Sequence, residues 1–468
     1  MRTPRTPNQA LRDLIGQARW SGAQLAREVN ALAAEQQLVT RCDRSTVGHW
    51  LEGTVPRPPV PQLVAEVLSR RLGREVTAVE ADLIRSGSPY SGVVAAPLPR
   101  DVVDQLERLG MVAGNRALGR TVVFSLSALE LPGWEGARAP ATGARDTQAQ
   151  PPAPAQGVGA RLQGVGCGPP DVLAAQKLLD LFSRADATFG GGRVHDVLRA
   201  YLATSVVAWL RQRTSPAARR RLLVVAGQLC YLCAFAHYDT SLHGIAQRYY
   251  LIGAALLREA GDRVGYALCA RGLSVQAHSL GHHEQAAGLA GAAVRIGLPY
   301  APAHQRAFLL GQLAVAQAHR ADQSSAARHL RAAERLLERA TDGDTPIGSF
   351  HEGSLALQRA SVARARSDHR QEAGQLHLSL RYRPRHEKRS LAVATALLAE
   401  AQLDLGHLDL ACHTWRTFVA GCPDIDSSRA RRHVRTMVAR LRPYAAHRAA
   451  ADLCDLARDL PAPHGRAR

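Results

Sequence analysis

The chain holds 468 residues, 46% of them apolar and only 5% aromatic. That length exceeds one ordinary core, so two or more domains are expected, and an alanine- and leucine-rich mix favours packed helices over sheets. A formal charge of +19 with a pI near 10.4, carried by arginine because Lys177 and Lys388 are the only lysines, suits a polyanionic partner.

Residues 8–90 read as a compact set of five short helices. In LRDLIGQARW, Leu11, Leu14, Ile15 and Ala18 share one helical face. Ser21 can cap a second helix whose Leu25, Val29, Leu32 and Ala33 point inward. The stretch DRSTVGHWLEGTVPRPP, residues 43–59, follows. Asp43 or Ser45 can cap its helix; Val47, Trp50 and Leu51 fall on the inner face, and Arg44, Ser45, Thr46, Gly48 and His49 lie on the others. Gly53 can end it in the left-handed conformation, Pro56, Pro58 and Pro59 prevent its resumption, and another helix begins near Pro61. Thr77 and Glu80 make a capping-box pattern for the fifth helix. Two readings of 43–59 compete: a helix that reads DNA bases, or a plain surface helix with a stiff exit.

Residues 91–132 read as a short connecting segment. DVVDQLERLG suits a short helix, and TVVFSLSAL stays open between strand and helix. Residues 133–170 are rich in Gly, Ala, Pro and Gln and bury too little apolar surface to offset their ordering entropy, so a flexible linker is expected.

From 171 to 460 the pattern is helical throughout. The apolar run 222–236 spans about 22 Å as a helix, short of a bilayer core of about 30 Å, so a buried helix and no membrane span are expected. Ala246, Ala286, Ala326, Ala373 and Ala411 each follow a polar turn, at spacings of 40, 40, 47 and 38 residues. A period near 40 with a helix on each side of the turn predicts a helical solenoid, the small residue allowing close approach of paired helices.

Catalytic and metal motifs are weak. Cys230 and Cys233 sit i and i+3 in the apolar helix and read as core; His282, His283 and Glu284 read as a solvated turn; Gly190, Gly191 and Gly192 follow no strand and read as a loop. Neither a phosphate-binding G-x-x-x-x-G-K run nor a G-x-S-x-G elbow is present. No enzyme activity, cofactor or metal is expected. Eight cysteines over this length make no disulfide framework, and MRTPRTPNQALRDL lacks a signal-peptide core, so a cytoplasmic protein is expected.

SGAQLA (21–26) and DRSTVGHWLEG (43–53) resemble the two helices of the lambda-repressor/Cro (XRE) helix-turn-helix. The resemblance implies that Arg44, Ser45 and His49 face base edges and Thr46 a phosphate or thymine methyl. Arg57 and the N–H groups of Gly22 and Ala23 would touch the backbone, with Leu25, Val29, Val47, Trp50 and Leu51 as core. ALAAEQQLVTRC departs from the family by roughly eleven residues beyond its short turn, close to three helical turns, so the second helix is expected to run on. The repeats resemble tetratricopeptide repeats, with a longer period than the usual unit of about 34.

Taken whole, the chain resembles bacterial regulators that join these two modules. An all-α protein is implied: an N-terminal helix-turn-helix domain, a flexible linker and a C-terminal TPR-like solenoid. Its partner would be double-stranded DNA, its state a homodimer, and its groove would take a peptide, a small molecule or another protein. The alternative is a TPR-type adaptor without specific DNA binding.

Overall fold

The computed structural model describes residues 6–36, 38–84, 101–134, 168–340, 347 and 350–460, and among these every regular element is a helix. The N-terminal unit contains α1 (Gln9–Ala18), α2 (Gly22–Glu35), α3 (Arg44–Leu51) and α4 (Val60–Leu72). Asn8, Ser21 and Asp43 cap the first three, their side chains accepting from the N–H groups of Leu11, Gln24 and Thr46. The expected fifth helix is a turn. Thr77 Oγ1 does accept from the Glu80 N–H at 3.0 Å, yet Asp82 adopts a φ of 47° and Asn8 Nδ2 donates to the Ala81 and Asp82 carbonyls at 2.9 and 3.1 Å. The capping signal starts the turn, and Asn8 captures the carbonyls that would have continued it.

The repeat array is built from hairpins. Its five central pairs are α10 (Pro216–Asp239) with α11 (His243–Glu259), α12 (Arg263–Ser279) with α13 (His283–Gly297), α14 (Ala303–Ala318) with α15 (Gln323–Glu338), α16 (Glu352–Ala365) with α17 (His369–Tyr382), and α18 (Lys388–Asp404) with α19 (Leu408–Gly421). A sixth pair, α20 (Ser428–Leu441) and α21 (Arg448–Asp459), follows. The five repeating alanines fall in the first turns of α11, α13, α15, α17 and α19, and all five are buried. Five or six residues before each stands a residue with positive φ: Ser241, Gly281, Ala321, Ser367 and Gly406. One left-handed residue turns the chain, and the alanine then lets the second helix close on the first. Helix α10 is, among the described residues, the one long and apolar enough to cross a membrane, and 83% of its apolar window is buried inside the array. Cys230 and Cys233 lie in that buried core.

The array begins upstream of the expected boundary at 171. Helix α5 (Val102–Gly114) and α6 (Arg116–Thr121) precede the non-helical stretch 122–125, and Val103, Leu106, Leu109, Val122 and Phe124 are all part of the repeat core. The segment 91–132 is therefore more than a connection. Glutamine 247 holds it like a ladder partner: Ser125 N–H donates to Gln247 Oε1 at 3.1 Å, and Gln247 Nε2 donates to the Ser125 carbonyl at 2.7 Å. Farther on, the Tyr266 hydroxyl donates to the Pro132 carbonyl at 2.7 Å and Arg263 stacks over Trp134. Of the expected linker, 135–167 lies outside the described residues; both of its flanks pack in the repeat domain, so it does not separate that domain from the N-terminal unit.

Helices α7 (Pro169–Phe189), α8 (His195–Tyr201) and α9 (Val207–Arg211) come next, ahead of the hairpins, and α7 also touches α18. The array curls until its start meets its end. There Arg389 Nη1 lies 2.7 Å from Asp186 Oδ2, its Nε 3.9 Å from Asp239, and its guanidinium over the Phe235 ring. Asp239 also accepts from the Gly191 N–H at 2.9 Å and the Ser427 hydroxyl at 2.8 Å. Burial opposes the Arg389 charge, but the two aspartates outweigh it and raise its pKa. The glycine triplet read as a loop is packed here: a Cβ on Gly191 would collide with the Ala236 carbonyl, and Gly192 N–H donates to the Asp426 carbonyl at 2.9 Å.

Removing the cation leaves two enclosed carboxylates facing each other. Arg389→Ala should lower the unfolding free energy by about 3–5 kcal/mol, read as a shifted urea midpoint. A second outcome concerns acid. His237, its Nδ1 2.7 Å from the Cys233 carbonyl, is pushed down to a pKa of about 3 by burial and by neighbouring His195. Unfolded histidine titrates near 6.5, so on acidification the unfolded chain takes the proton first. The contribution is complete above that value and is lost below it, by about 2 kcal/mol between pH 7 and pH 5. Calorimetry should show Tm falling over that range, and less steeply in His237→Gln.

Candidate nucleic-acid interface

Helix α3 has two unlike faces. Val47 and Trp50, 0% and 4% exposed, enter the N-terminal core beside Leu25 and Val29, and Leu51 is half-buried against it. Arg44, Ser45 and His49 are exposed with the repeat domain in place, and Arg57 is exposed at the proline-rich exit. His49 Nδ1 lies 3.5 Å from Glu52 Oε2.

Thr46 departs from its expected role. Its hydroxyl and its N–H both donate to Asp43 Oδ1, each at 2.7 Å, and these two bonds hold the Asp43 carboxyl below its usual pKa. The side chain completes a capping box, so it fixes the helix start instead of presenting a free hydroxyl outward.

The start of α2 meets the middle of α3. A Cβ built on Gly22 would stand 3.4 Å from Val47 Cγ1. Ser21 and Gln24 form a capping box, with Gln24 Oε1 accepting from the Ser21 N–H at 2.8 Å and Ser21 Oγ accepting from the Gln24 N–H at 3.2 Å. The first-turn N–H groups of Gly22 and Ala23 have no intrahelical acceptor. Both residues are half-buried at that end of α2.

The inserted residues between the two helices divide. Helix α2 runs on to Glu35, as the helical-turn arithmetic suggests, and residues 40 and 42 of the connection that follows bond back to Asn30. Asn30 Nδ2 donates to the Cys42 carbonyl at 2.7 Å, and its Oδ1 accepts from the Cys42 N–H at 3.0 Å and the Thr40 hydroxyl at 2.8 Å. One amide side chain thus delivers the chain to the Asp43 cap. At the other end, the Leu51 carbonyl accepts from the Asn8 N–H at 3.0 Å, and Gly53, with a φ of 91°, turns the chain away. Sequence reasoning missed both asparagines. Asn8 stands at the start of α1 and Asn30 within α2, each a polar residue beside apolar ones, which is their one visible signal.

The opposite face of this unit docks on the repeats. Glu66 Oε1 accepts from Arg70 Nε at 2.7 Å and lies 3.1 Å from His282 Nε2, while Arg70 Nη1 reaches Glu35 at 3.2 Å. His282 is 2% exposed and stacks on Phe124, ring centroids 5.4 Å apart. The solvated turn expected at His282 is therefore a buried interdomain contact, because the N-terminal unit covers it. Beside it a cavity of about 420 Å³ is lined by Glu66, Val76, Ile84, Phe124, Gln247 and Arg248.

Asn30→Ala removes three hydrogen bonds and leaves the Cys42 N–H unpaired. It should cost about 1–3 kcal/mol and speed hydrogen exchange at Cys42, with little change in the exchange of α1.

A family profile described as the SP15 N-terminal domain matches residues 11–84. That range covers every buried residue of the N-terminal core except Val123, from Leu11 to Leu83. No curated protein and no solved structure matches the chain.

Proposed function

We propose that the protein is a sequence-specific DNA-binding transcription regulator that acts by binding and not by catalysis. The observation that carries this reading is α3: its indole and Val47 are anchored inward while Arg44, Ser45 and His49 remain open to solvent beside Arg57. A guanidinium can pair with the N7 and O6 edge of guanine, and a hydroxyl or imidazole can bond base edges, when a helix enters the major groove N-terminus first. The N–H groups at the start of α2 would take a phosphate. The +19 charge supplies the non-specific attraction.

Through Val60 the chain has eight arginines against five acids, too small an excess for one copy to bind tightly, so the working state is a homodimer on a two-fold site in the cytoplasm. The repeat domain carries dimerisation and the signal. Because the N-terminal unit packs on it through Glu66 and His282, a small ligand in the cavity beside that contact, whose volume falls in the range of small-molecule sites, would bias the seating of the unit through differential affinity.

The test is a gel-shift titration with a duplex selected by the full-length protein from a random library. Arg44→Ala should weaken the selected duplex by about 1–3 kcal/mol and leave random duplex unchanged; Arg57→Ala should weaken both alike and reduce the salt slope by about 1. Equal effects of both substitutions on both duplexes would remove the base-reading assignment. Failure to retard any duplex at low salt would leave an adaptor that works through the repeats.

A further inference from the structure

The turn that carries His282 also carries His283, and it brings together three imidazoles. His278 stands in the last turn of α12, His283 opens α13, and His319 follows the end of α14. Their ring centroids lie 4.4, 5.2 and 5.3 Å apart, and one ring nitrogen from each falls within 4.8 Å of the other two. His278 Nδ1, His283 Nδ1 and His319 Nε2 are enclosed without a hydrogen-bond partner in the described structure. All three residues are half-buried, so the cluster keeps an opening to water.

We propose that His278, His283 and His319 form a binding site for one divalent transition-metal ion of the zinc class. An enclosed imidazole nitrogen without a partner is costly, and three converging ones are unexplained by packing alone. Neutral imidazole is the favoured nitrogen ligand for such ions, at about 2.0–2.1 Å, which places ligand nitrogens about 3.3 Å apart in a tetrahedron. On binding, the three nitrogens would draw together from within 4.8 Å to that spacing, and a water molecule from the open side would complete the shell. Burial and mutual proximity lower the basicity of the group, His278 to a pKa of about 3 and His319 to about 4, so the lone pairs are available at neutral pH. The nearby cations are already paired: Arg320 with Glu284 at 2.6 Å, and Arg364 with Glu372 and Glu400. The solenoid thus joins two adjacent hairpin turns through one ion, one residue away from the contact with Glu66.

Full-length protein, stripped with chelator, is titrated with Co²⁺ at neutral pH and then with Zn²⁺. One Co²⁺ per chain should bind with a visible d–d band that Zn²⁺ abolishes. His283→Ala and His319→Ala should each lose at least about tenfold in affinity, and His329→Ala, which bonds Gln317 outside the cluster, should lose none. Absence of any band with wild-type protein overturns the proposal, whatever the variants do. So does a band that persists in both His283→Ala and His319→Ala. Should either variant lose its helical circular dichroism, His283→Gln and the wild-type stoichiometry decide.

Discussion

Three consecutive residues outside any helix, Val122, Val123 and Phe124, hold the two halves of the molecule together. Val122 and Phe124 enter the core of the repeat domain, and Val123, between them, enters the core of the N-terminal unit. None is more than 8% exposed. Moving this stretch by one residue would take each of the three out of the core it now fills, and close-packed cores tolerate such misfits poorly. The backbone is fixed on one side by Gln247 and passes so near α11 that only glycine fits at position 244, where a Cβ would meet the Val122 carbonyl.

From that wedge follows the arrangement around it. The N-terminal unit turns α4 and the end of α2 toward the repeats, where Glu35, Arg70, Glu66 and His282 form one chain of charged and polar contacts. The outward side of α3 is left to solvent. A unit held this way is positioned by packing and not by a tether, so any influence of the repeats on it would pass through side chains that have two arrangements, which is the physical requirement for coupling between sites.

The repeats themselves are held by a different device. Each hairpin turns at one left-handed residue and closes on one alanine, and three of the five turns use Ser241, Ala321 and Ser367 where glycine would be the unstrained choice. The curl those hairpins generate brings Asp186 and Asp239 to Arg389, so a buried charge triad links the start of the array to a helix near its end, and removing any one member would leave an uncompensated buried charge.

The local periodicities were legible in the residues. The inward faces of α1 to α3, the caps at Ser21 and Asp43, the glycine stop at Gly53 and the buried alanines of the five hairpins all follow from helical spacing and from the backbone groups a helix end leaves unpaired, both of which are properties of short stretches of chain. Tertiary structure alone decided the rest. Asn8 and Asn30 act on residues 73 and 12 positions away, Thr46 turned to its own cap, His282 met Glu66 across 216 positions, and the glycine triplet found Asp426 only when the array closed. A polar residue read alone shows what it can bond; which partner it receives depends on how the helices between them pack, and that is set by volumes and crossing angles summed over the whole array.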